Sequence, residues 1–193
     1  MPGRIVFCGV GALGSTAAML CRTLDAELVF VDFDRVESKN LLSQVYVKPS
    51  IGKNKAEALK LQLANFYGVK AEAFGVRLTR DNTTTLLDKA TLLVDAFDNA
   101  ESRRLLSEYA CAAGKPLVHG AISADGTLGL IRWDERFTPD EEDTSGQATC
   151  ADGAHLPMIG LLGAVLARTI QDFHTKGARQ DALVSLSGVL LSG

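Results

Sequence analysis

One stretch decides the fold of this chain: Arg4-Ile-Val-Phe-Cys-Gly-Val-Gly-Ala-Leu-Gly-Ser15. Its apolar residues 5–7 predict a buried strand, and residues 15–24 predict a helix. The turn between them carries three glycines spaced as G-x-G-x-x-G, namely Gly9, Gly11 and Gly14. In a strand–turn–helix unit such glycines allow the tight turn, the approach of a phosphate and the packing of helix on strand. The helix N-terminus would also present N–H groups to an anion. A turn whose glycines serve only packing is the alternative, and the context favours a nucleotide site.

The composition predicts one cytoplasmic domain. The chain has 193 residues, 47% of them hydrophobic, which suits a single domain over residues 1–193 with a sizeable core. A net charge of −3 gives no indication of the basic surface that binds nucleic acid. No apolar run reaches the roughly 18 residues of a membrane span, so we expect neither nucleic acid nor a membrane as partner. Arg4 leads straight into the first strand, without the pattern of a signal peptide.

The remaining chain alternates between strand and helix patterns. This alternation predicts a doubly wound α/β domain, a Rossmann-like three-layer sandwich with a mainly parallel sheet. Further strands are expected over residues 27–31, 70–74, 90–94, 116–120, 127–133 and 182–191. Further helices are expected over residues 52–67, 100–112 and 157–173, with a short helix that Asp81 caps and that ends at Leu87.

Polar side chains that follow the second strand add to the candidate site. Asp32 lies 18 residues after Gly14, close to the roughly 20-residue spacing of an acid that binds a ribose. A dehydrogenase needs only that acid. A second acid and two amides suit a site that also handles a triphosphate and a metal, and these are Asp34, Asn40 and Gln44. The alternative is a polar loop that caps the next helix.

Two lysines and a further acid complete the candidates. Lys53 and Lys55 fall in the first turn of the helix predicted over residues 52–67, where the helix dipole disfavours cations. A phosphate would give them an anionic partner, and plain surface lysines are the alternative. Asp98 and Asn99 follow the fourth strand, at an edge where open α/β sheets bind ligands. Asp98 suits a metal there, although both residues could simply cap the next helix.

The four cysteines indicate no zinc site, because none belongs to a C-x-x-C pair. Cys8, Cys21 and Cys111 lie in apolar strand or helix patterns and are predicted to be core thiols, as expected in a reducing compartment. Cys150 lies in the polar stretch 136–153, which is predicted to be a mobile crossover loop. An exposed free thiol is either incidental or functional, and the residues leave both open. The histidines are scattered and indicate no metal cluster: His119, His155 and His174.

The helix predicted over residues 157–173 is apolar almost throughout. Gly160 and Gly163 would allow other elements to pack closely against it. Such uniform hydrophobicity indicates burial on several sides, including a contact between subunits. We therefore expect a dimer.

Together these residues resemble the ThiF/MoeB family, the ubiquitin-activating-type adenylyltransferases. The resemblance covers residues 3–177, and seven motifs occur in the family's order. They are Gly9-Val-Gly-Ala-Leu-Gly14, Val31-Asp-Phe-Asp34, Ser38-Lys-Asn-Leu-Leu-Ser-Gln44, Ile51-Gly-Lys-Asn-Lys55, Asp95-Ala-Phe-Asp-Asn99, Gly114-Lys-Pro-Leu-Val-His-Gly120 and Leu161-Leu-Gly-Ala-Val-Leu-Ala167.

The resemblance implies an activity and a partner. Family members use ATP and Mg²⁺ to adenylate the C-terminal glycine of a ubiquitin-like or sulfur-carrier protein, so a carrier that ends in Gly-Gly is the expected partner. A homodimer is the assembly that the family implies.

The resemblance also implies roles for single residues. Asp32 would bind the ribose hydroxyls, and Asp98 would hold Mg²⁺. The phosphates would be contacted by Asn40, Gln44 and Lys55, while the Gly9–Gly14 turn, with Ala12, would lie against the nucleotide. Cys150 matches the cysteine that forms a thioester or persulfide. The expected catalytic residues are thus Lys55, Asp98 and Cys150.

The sequence departs from the family in four ways. The arginine of the Asn-Leu-x-Arg-Gln motif is Ser43, and the second consecutive glycine of the turn is Ala12. The family's two C-x-x-C zinc pairs have no counterpart, and neither do its N-terminal helices, which in family dimers can supply an arginine to the partner's active site. These departures favour one rival, a non-catalytic subunit of a heteromeric activating enzyme. An NAD-binding oxidoreductase and an enzyme that adenylates a small molecule or an RNA carboxylate are further alternatives.

Overall fold

Eight strands form one sheet, and helices cover both of its faces. The structure is a computed structural model that describes residues 3–134 and 153–192. Its strands are β1 Gly3–Cys8, β2 Ala26–Val31, β3 Ala71–Phe74, β4 Leu92–Asp95, β5 Leu117–Ile122, β6 Leu128–Trp133, β7 Asp181–Ser185 and β8 Gly188–Ser192. The α-helices are α1 Ala12–Leu20, α2 Lys55–Tyr67, α3 Thr83–Leu87, α4 Ala100–Ala113 and α5 Leu156–Lys176. Two short 3-10 helices cover Ser38–Leu42 and Lys48–Ser50.

The first five strands are parallel, and β1 lies between β2 and β4. Ile5 of β1 is paired with Leu28 on one side and with Leu92 on the other. The chain therefore builds β2 and β3 outward from β1 and then returns to build β4 and β5 on the opposite side. This reversal confirms the doubly wound fold. It also brings the carboxyl ends of β1, β2 and β4 together, and ligands bind at such a point in folds of this class.

The last three strands are antiparallel, and they correct one prediction. Residues 182–191 were expected to form a single strand, but they belong to a hairpin of β7 and β8. The chain reverses between Ser185 and Gly188, where the Ser185 hydroxyl lies 3.0 Å from that of Ser187. β8 occupies the edge of the sheet and is exposed along its whole length.

Two apolar cores lie on opposite faces of the sheet. Side chains of a strand alternate between its faces, and β1 shows this clearly because all four of its last residues are fully buried. Ile5 and Phe7 pack in the core with α1, α2 and α5, whereas Val6 and Cys8 pack in the core with α3 and α4. Burial raises the pKa of the Cys8 thiol far above its usual range. The three-layer arrangement is therefore confirmed.

Helix α5 is longer than predicted and packs against α1. A Cβ at Gly163 would lie 2.6 Å from the Thr16 side chain, so glycine at this position lets the two helices approach closely. By length and composition alone α5 could cross a membrane. Its inward side chains, among them Leu162 and Leu166, are nevertheless fully buried in the core. In this fold α5 is thus a core helix with an outer face.

Some element boundaries differ from the prediction. Helix α1 begins three residues earlier than residue 15 and ends four before residue 24. Helix α2 begins at Lys55, because Asn54 is its N-cap and accepts a hydrogen bond from the Glu57 N–H. Lys53 consequently precedes the helix and does not lie in its first turn. Asp81 does not cap α3, which begins after Asn82.

The prediction that Cys111 is a core thiol is wrong. Cys111 is exposed on α4, whereas Ala110 and Leu106 of the same helix are buried. The apolar pattern of residues 100–112 does not distinguish the two faces at this position. Cys8 and Cys21 are buried as predicted, and burial raises the pKa of the Cys21 thiol to about 12.

Candidate functional site

Two glycines of the turn after β1 are required by the packing of the protein itself. Gly9 has a φ of +86°, and a Cβ there would lie 2.8 Å from the Ala96 carbonyl oxygen. A Cβ at Gly14 would lie 2.1 Å from the Gly9 carbonyl oxygen. Larger residues would therefore collide with backbone at both positions. These two contacts fix the turn against α1 and the end of β4.

The middle glycine is different. A Cβ at Gly11 would meet no atom within 4 Å beyond its chain neighbours, so packing does not require glycine at this position. Gly11 is the N-cap of α1, and no side chain caps this helix. Ala12 is the first residue of α1 and has no positive φ, so alanine fits where the family has glycine. The backbone at the positive end of α1 is thus accessible to an anion.

Asp32 lies at the end of β2 and holds the glycine turn. One carboxylate oxygen accepts the Val10 N–H at 2.8 Å and the other accepts the Asp34 N–H at 2.9 Å. Burial raises the pKa of Asp32, while these two hydrogen bonds and nearby Lys55 oppose the shift. The Tyr46 hydroxyl donates to the Val10 carbonyl at 2.6 Å, so the backbone N–H and the carbonyl of Val10 are both hydrogen-bonded.

Lys55 forms an ion pair with Asp34. Its Nζ lies 3.0 Å from Oδ2 of Asp34, and the lysine side chain is 10% exposed against 46% for the aspartate. The Asn54 amide donates to the backbone carbonyls of Asp32 and Asp34, which ties the start of α2 to the segment after β2. The structure therefore brings Lys55 to the edge that carries Asp32.

The 3-10 helix Ser38–Leu42 and the residues after it supply the two amides, Asn40 and Gln44. Asn40 is buried, and its Oδ1 accepts the Glu37 N–H at 2.8 Å in a capping box, so part of its role is structural. The Oε1 atom of Gln44 is buried and has no hydrogen-bond partner among the described residues. Ser43 is 2% exposed, and its side chain supplies no cation where the family has arginine. Gln44 thus keeps a buried acceptor that no described residue satisfies.

The sequence left open whether Asp98 and Asn99 bind a ligand or cap the next helix, and the two residues differ in the structure. Asn99 is the N-cap of α4 and accepts the Ser102 N–H at 2.9 Å. Asp98 is exposed, and its carboxylate accepts a weak hydrogen bond from the Asn99 amide at 3.4 Å. Within residues 3–134 and 153–192, no three His, Cys, Asp or Glu side chains form a cluster that could hold a metal. Mg²⁺ is often bound by one or two carboxylates together with phosphates, and Asp98 fits that mode.

A buried polar cluster beneath this edge was not predicted. We call it the Asp95 cluster, and its members are Asp95, Arg103, Ser107, His119 and Asp134. Two carboxylates, a guanidinium, an imidazole and a hydroxyl are brought together from β4, α4, β5 and the residue after β6. In sequence, His119 indicated only a scattered histidine. The signal that could have found the cluster is the strand register, in which Asp95 pairs with His119.

The predicted residues therefore fall into three groups. The turn residues, Asp32 and Asp98 lie at the neighbouring carboxyl ends of β1, β2 and β4, and Lys55 reaches Asp34 at the same edge. Asn40 and Gln44 follow nearby, in and directly after a 3-10 helix. Cys150 and most of the predicted crossover loop, residues 136–153, lie outside the described residues.

Comparisons with known proteins agree with this arrangement. A sequence profile described as "ThiF family" matches residues 2–182. An adenylyltransferase and sulfurtransferase UBA4 from Lodderomyces elongisporus is 32% identical over 175 residues, which are 85% of this chain and 38% of that protein. A sulfur carrier protein adenylyltransferase from Thermus thermophilus is 39% identical over 132 residues, which are 66% of this chain and 48% of that protein. The chain thus spans less than half of each relative.

Solved structures share the fold. The structure of E. coli MccB with ATP has a TM-score of 0.77 and 16% identity, with 98% of this chain and 63% of that chain covered. A structure of PaaA has a TM-score of 0.76 and 18% identity, with the same coverage. At such identities the likeness establishes the arrangement of strands and helices alone.

Proposed function

This chain belongs to the ThiF family, and from that premise we propose that it is an ATP-dependent adenylyltransferase. Its substrate would be the C-terminal carboxylate of a ubiquitin-like or sulfur-carrier protein that ends in Gly-Gly. The names of its relatives support this proposal, since they include a sulfur carrier protein adenylyltransferase.

The observation that carries the proposal is the accessible backbone at Gly11. Packing explains the other two glycines of the turn but does not explain this one. A nucleotide phosphate at the uncapped N-terminus of α1 would supply the reason, because glycine allows an anion to approach the backbone N–H groups.

Each of the other site residues would contact a different part of the nucleotide or its metal. Each carboxylate oxygen of Asp32 accepts one backbone N–H, so lone pairs remain for ribose hydroxyls. Lys55 would exchange part of its contact with Asp34 for a phosphate oxygen. Asn40 and Gln44 would contact the phosphates through their amide groups. Asp98 would hold Mg²⁺.

The chemistry follows from the charges. A carboxylate that attacks the α-phosphorus of ATP approaches a negatively charged group, so catalysis depends on positive charge and N–H donors already in position. Lys55 and the α1 N-terminus would stabilise the transition state. When bound, Mg²⁺ would neutralise charge on the phosphates. The new bond joins the carboxylate oxygen to the α-phosphorus, and pyrophosphate leaves.

A second step would use Cys150, and its basis is the sequence alone. The Cys150 thiolate would attack the carbonyl carbon of the acyl adenylate, form a thioester and release AMP. No lysine or arginine neighbours Cys150 in sequence, and Asp152 would oppose ionisation of the thiol. Proximity to the adenylate, more than a lowered pKa, would then drive this step.

We expect Cys150→Ala to separate the two steps. Exchange between ATP and pyrophosphate should survive, because adenylation does not need the thiol, whereas a conjugate between carrier and enzyme that a thiol reducing agent cleaves should disappear. Both are measured on the same preparation, with Cys111→Ala as the control, since Cys111 is an exposed thiol on α4. Persistence of the conjugate in Cys150→Ala would remove Cys150 from the mechanism and leave adenylation untouched.

The rival supported by a specific observation is a non-catalytic subunit. Ser43 is buried and uncharged at the position where the family has an arginine, so one phosphate contact is absent. Pyrophosphate exchange with candidate carriers decides between the two functions. Exchange by the chain alone supports the enzyme, and exchange only after a second ThiF-family chain is added supports the subunit. Calorimetric titration completes the test, because binding of NAD but not of Mg-ATP would instead favour an oxidoreductase.

The proposal also includes a homodimer in a reducing cytoplasm. The outer face of α5 supports the dimer, because Leu156 is about half exposed and the small residues Gly160 and Ala164 are exposed beside it. Light scattering should then give twice the monomer mass at micromolar concentration. A mass that stays at 20.6 kDa across the concentration range would contradict the dimer.

A further inference from the structure

Resting on the proposed function, we propose that His119 is a positioning residue for Asp98. It would act through Asp95, which holds the loop between β4 and α4, so that the Asp98 carboxylate stays where a nucleotide-bound metal can reach it. His119 itself lies in the sheet and is 1% exposed, which excludes a direct contact with a ligand at the surface.

The loop that carries Asp98 is fixed on both sides. The Phe97 N–H donates to Oδ1 of Asp95 at 3.0 Å, and the Phe97 carbonyl accepts a hydrogen bond from Arg103. The same guanidinium nitrogen donates to the Gly120 carbonyl at 2.9 Å. After Asp98, the chain is held by Asn99 as the N-cap of α4. The backbone of Asp98 thus lies between two anchored residues, while its carboxylate is exposed.

Asp95 can serve as an anchor only if its charge is balanced. The residue is completely buried, and a buried carboxylate without cationic partners is strongly destabilising. Its Oδ2 lies 2.7 Å from Nδ1 of His119 and 3.1 Å from an Nη of Arg103. Because β4 and β5 pair Asp95 directly with His119, the sheet itself sets this contact.

His119 also connects the anchor to the end of β6. Its Nε2 lies 2.8 Å from Oδ1 of Asp134, which in turn accepts the Ser107 hydroxyl at 2.6 Å. Both ring nitrogens of His119 thus contact a carboxylate oxygen. Loss of the imidazole would leave Oδ2 of Asp95 in contact with Arg103 and would pull that guanidinium away from the Phe97 carbonyl.

A purely structural role for the cluster is the competing explanation. Buried ion pairs seldom stabilise a fold more than well-packed apolar residues do. This cluster, in contrast, places one carboxylate oxygen of Asp95 on the Phe97 N–H, within the loop that carries the candidate metal ligand. Its position therefore favours control of that loop.

The test separates metal binding from nucleotide binding. We expect His119→Gln to weaken the binding of Mn-ATP about tenfold, measured from the electron paramagnetic resonance signal of free Mn²⁺. Affinity for ATP in the presence of a chelator should stay within twofold of the parent, because the residues proposed to contact ribose and phosphates lie on other elements. A structural role alone would lower both affinities together.

Leu117→Ala is the matched control. Leu117 is on β5, two residues before His119, and it is buried in the core that contains Leu106 of α4. Its truncation should lower thermal stability without altering the polar cluster, so it reports what destabilisation alone does to both affinities. If His119→Gln does not fold, Asp134→Asn replaces it, since an amide keeps the acceptor oxygen but removes the charge. The expected loss of Mn-ATP affinity is then about threefold, again with unchanged chelated ATP binding.

The possible results distinguish failure of the positioning role from failure of the proposed function. Equal loss of both affinities in His119→Gln, or a loss of Mn-ATP affinity no larger than in Leu117→Ala, would overturn the positioning role and leave the proposed function standing. Unchanged Mn-ATP affinity in a folded variant would do the same. A parent protein that binds neither ATP nor Mn-ATP would instead overturn the proposed function.

Discussion

Lys55→Met is expected to lower the rate of ATP–pyrophosphate exchange by about 100- to 1000-fold. Removal of a single donor that stabilises developing negative charge typically has an effect of about this size. Methionine keeps most of the aliphatic volume of a side chain that is only 10% exposed, so the start of α2 should remain packed. Asp34 loses its partner but is nearly half exposed, and the cost to stability is therefore small.

Lys53→Met is the control for this prediction. Lys53 lies two residues earlier, is exposed and precedes the N-cap of α2. It carries the same charge but is not held at the ligand edge, so its loss should change the exchange rate less than twofold. Similar rates for the two variants would mean that Lys55 contributes only to the general field and does not contact the phosphates.

Gly11→Val is expected to abolish measurable ATP binding, with an affinity loss of at least about 100-fold, while the protein stays folded. The side chain would occupy the space through which a phosphate approaches the N-terminus of α1, and its Cβ would meet no atom within 4 Å beyond its chain neighbours. Valine is a poor N-cap residue, so a cost of about 1 kcal/mol in unfolding free energy is expected. Calorimetric titration with Mg-ATP, together with thermal unfolding, measures both quantities.

Gly14→Ala is expected to destabilise the fold, in contrast to Gly11→Val. A Cβ there would lie 2.1 Å from the Gly9 carbonyl oxygen, so the turn must move and stability should fall by several kcal/mol. The pair of variants thus separates a glycine needed by the fold from one needed by the ligand. If Gly11→Val binds Mg-ATP as the parent does, no phosphate approaches the backbone at Gly11, and the observation that carries the proposed function is lost.

Much of the fold could be predicted because local signals agreed with one another. The apolar run of residues 5–7, the glycine turn and the following helix specify one strand–helix unit, and the later alternation repeats it. Asn99 and Asn54 show where such signals were weaker. Each caps a helix through its side chain, but the sequence offered several polar residues at both starts.

The parts that could not be predicted depend on contacts between distant residues. Asp95, His119 and Asp134 are separated by 24 and 15 residues, and the register of β4, β5 and β6 brings them together. The turn between β7 and β8 lacks the Asn-Gly or Asp-Gly signal of a tight hairpin, so a single strand was expected. The exposure of Cys111 likewise depends on which face of α4 meets the sheet.

The central position of β1 has a consequence for biogenesis. β1 is paired on one side by β2 but on the other by β4, whose residues Leu92–Asp95 are synthesised much later. At a synthesis rate of about 5–20 residues per second, the nascent chain spends several seconds with one edge of β1 unpaired. During that interval the sheet does not yet shield Ile5 and its neighbours from other nascent chains.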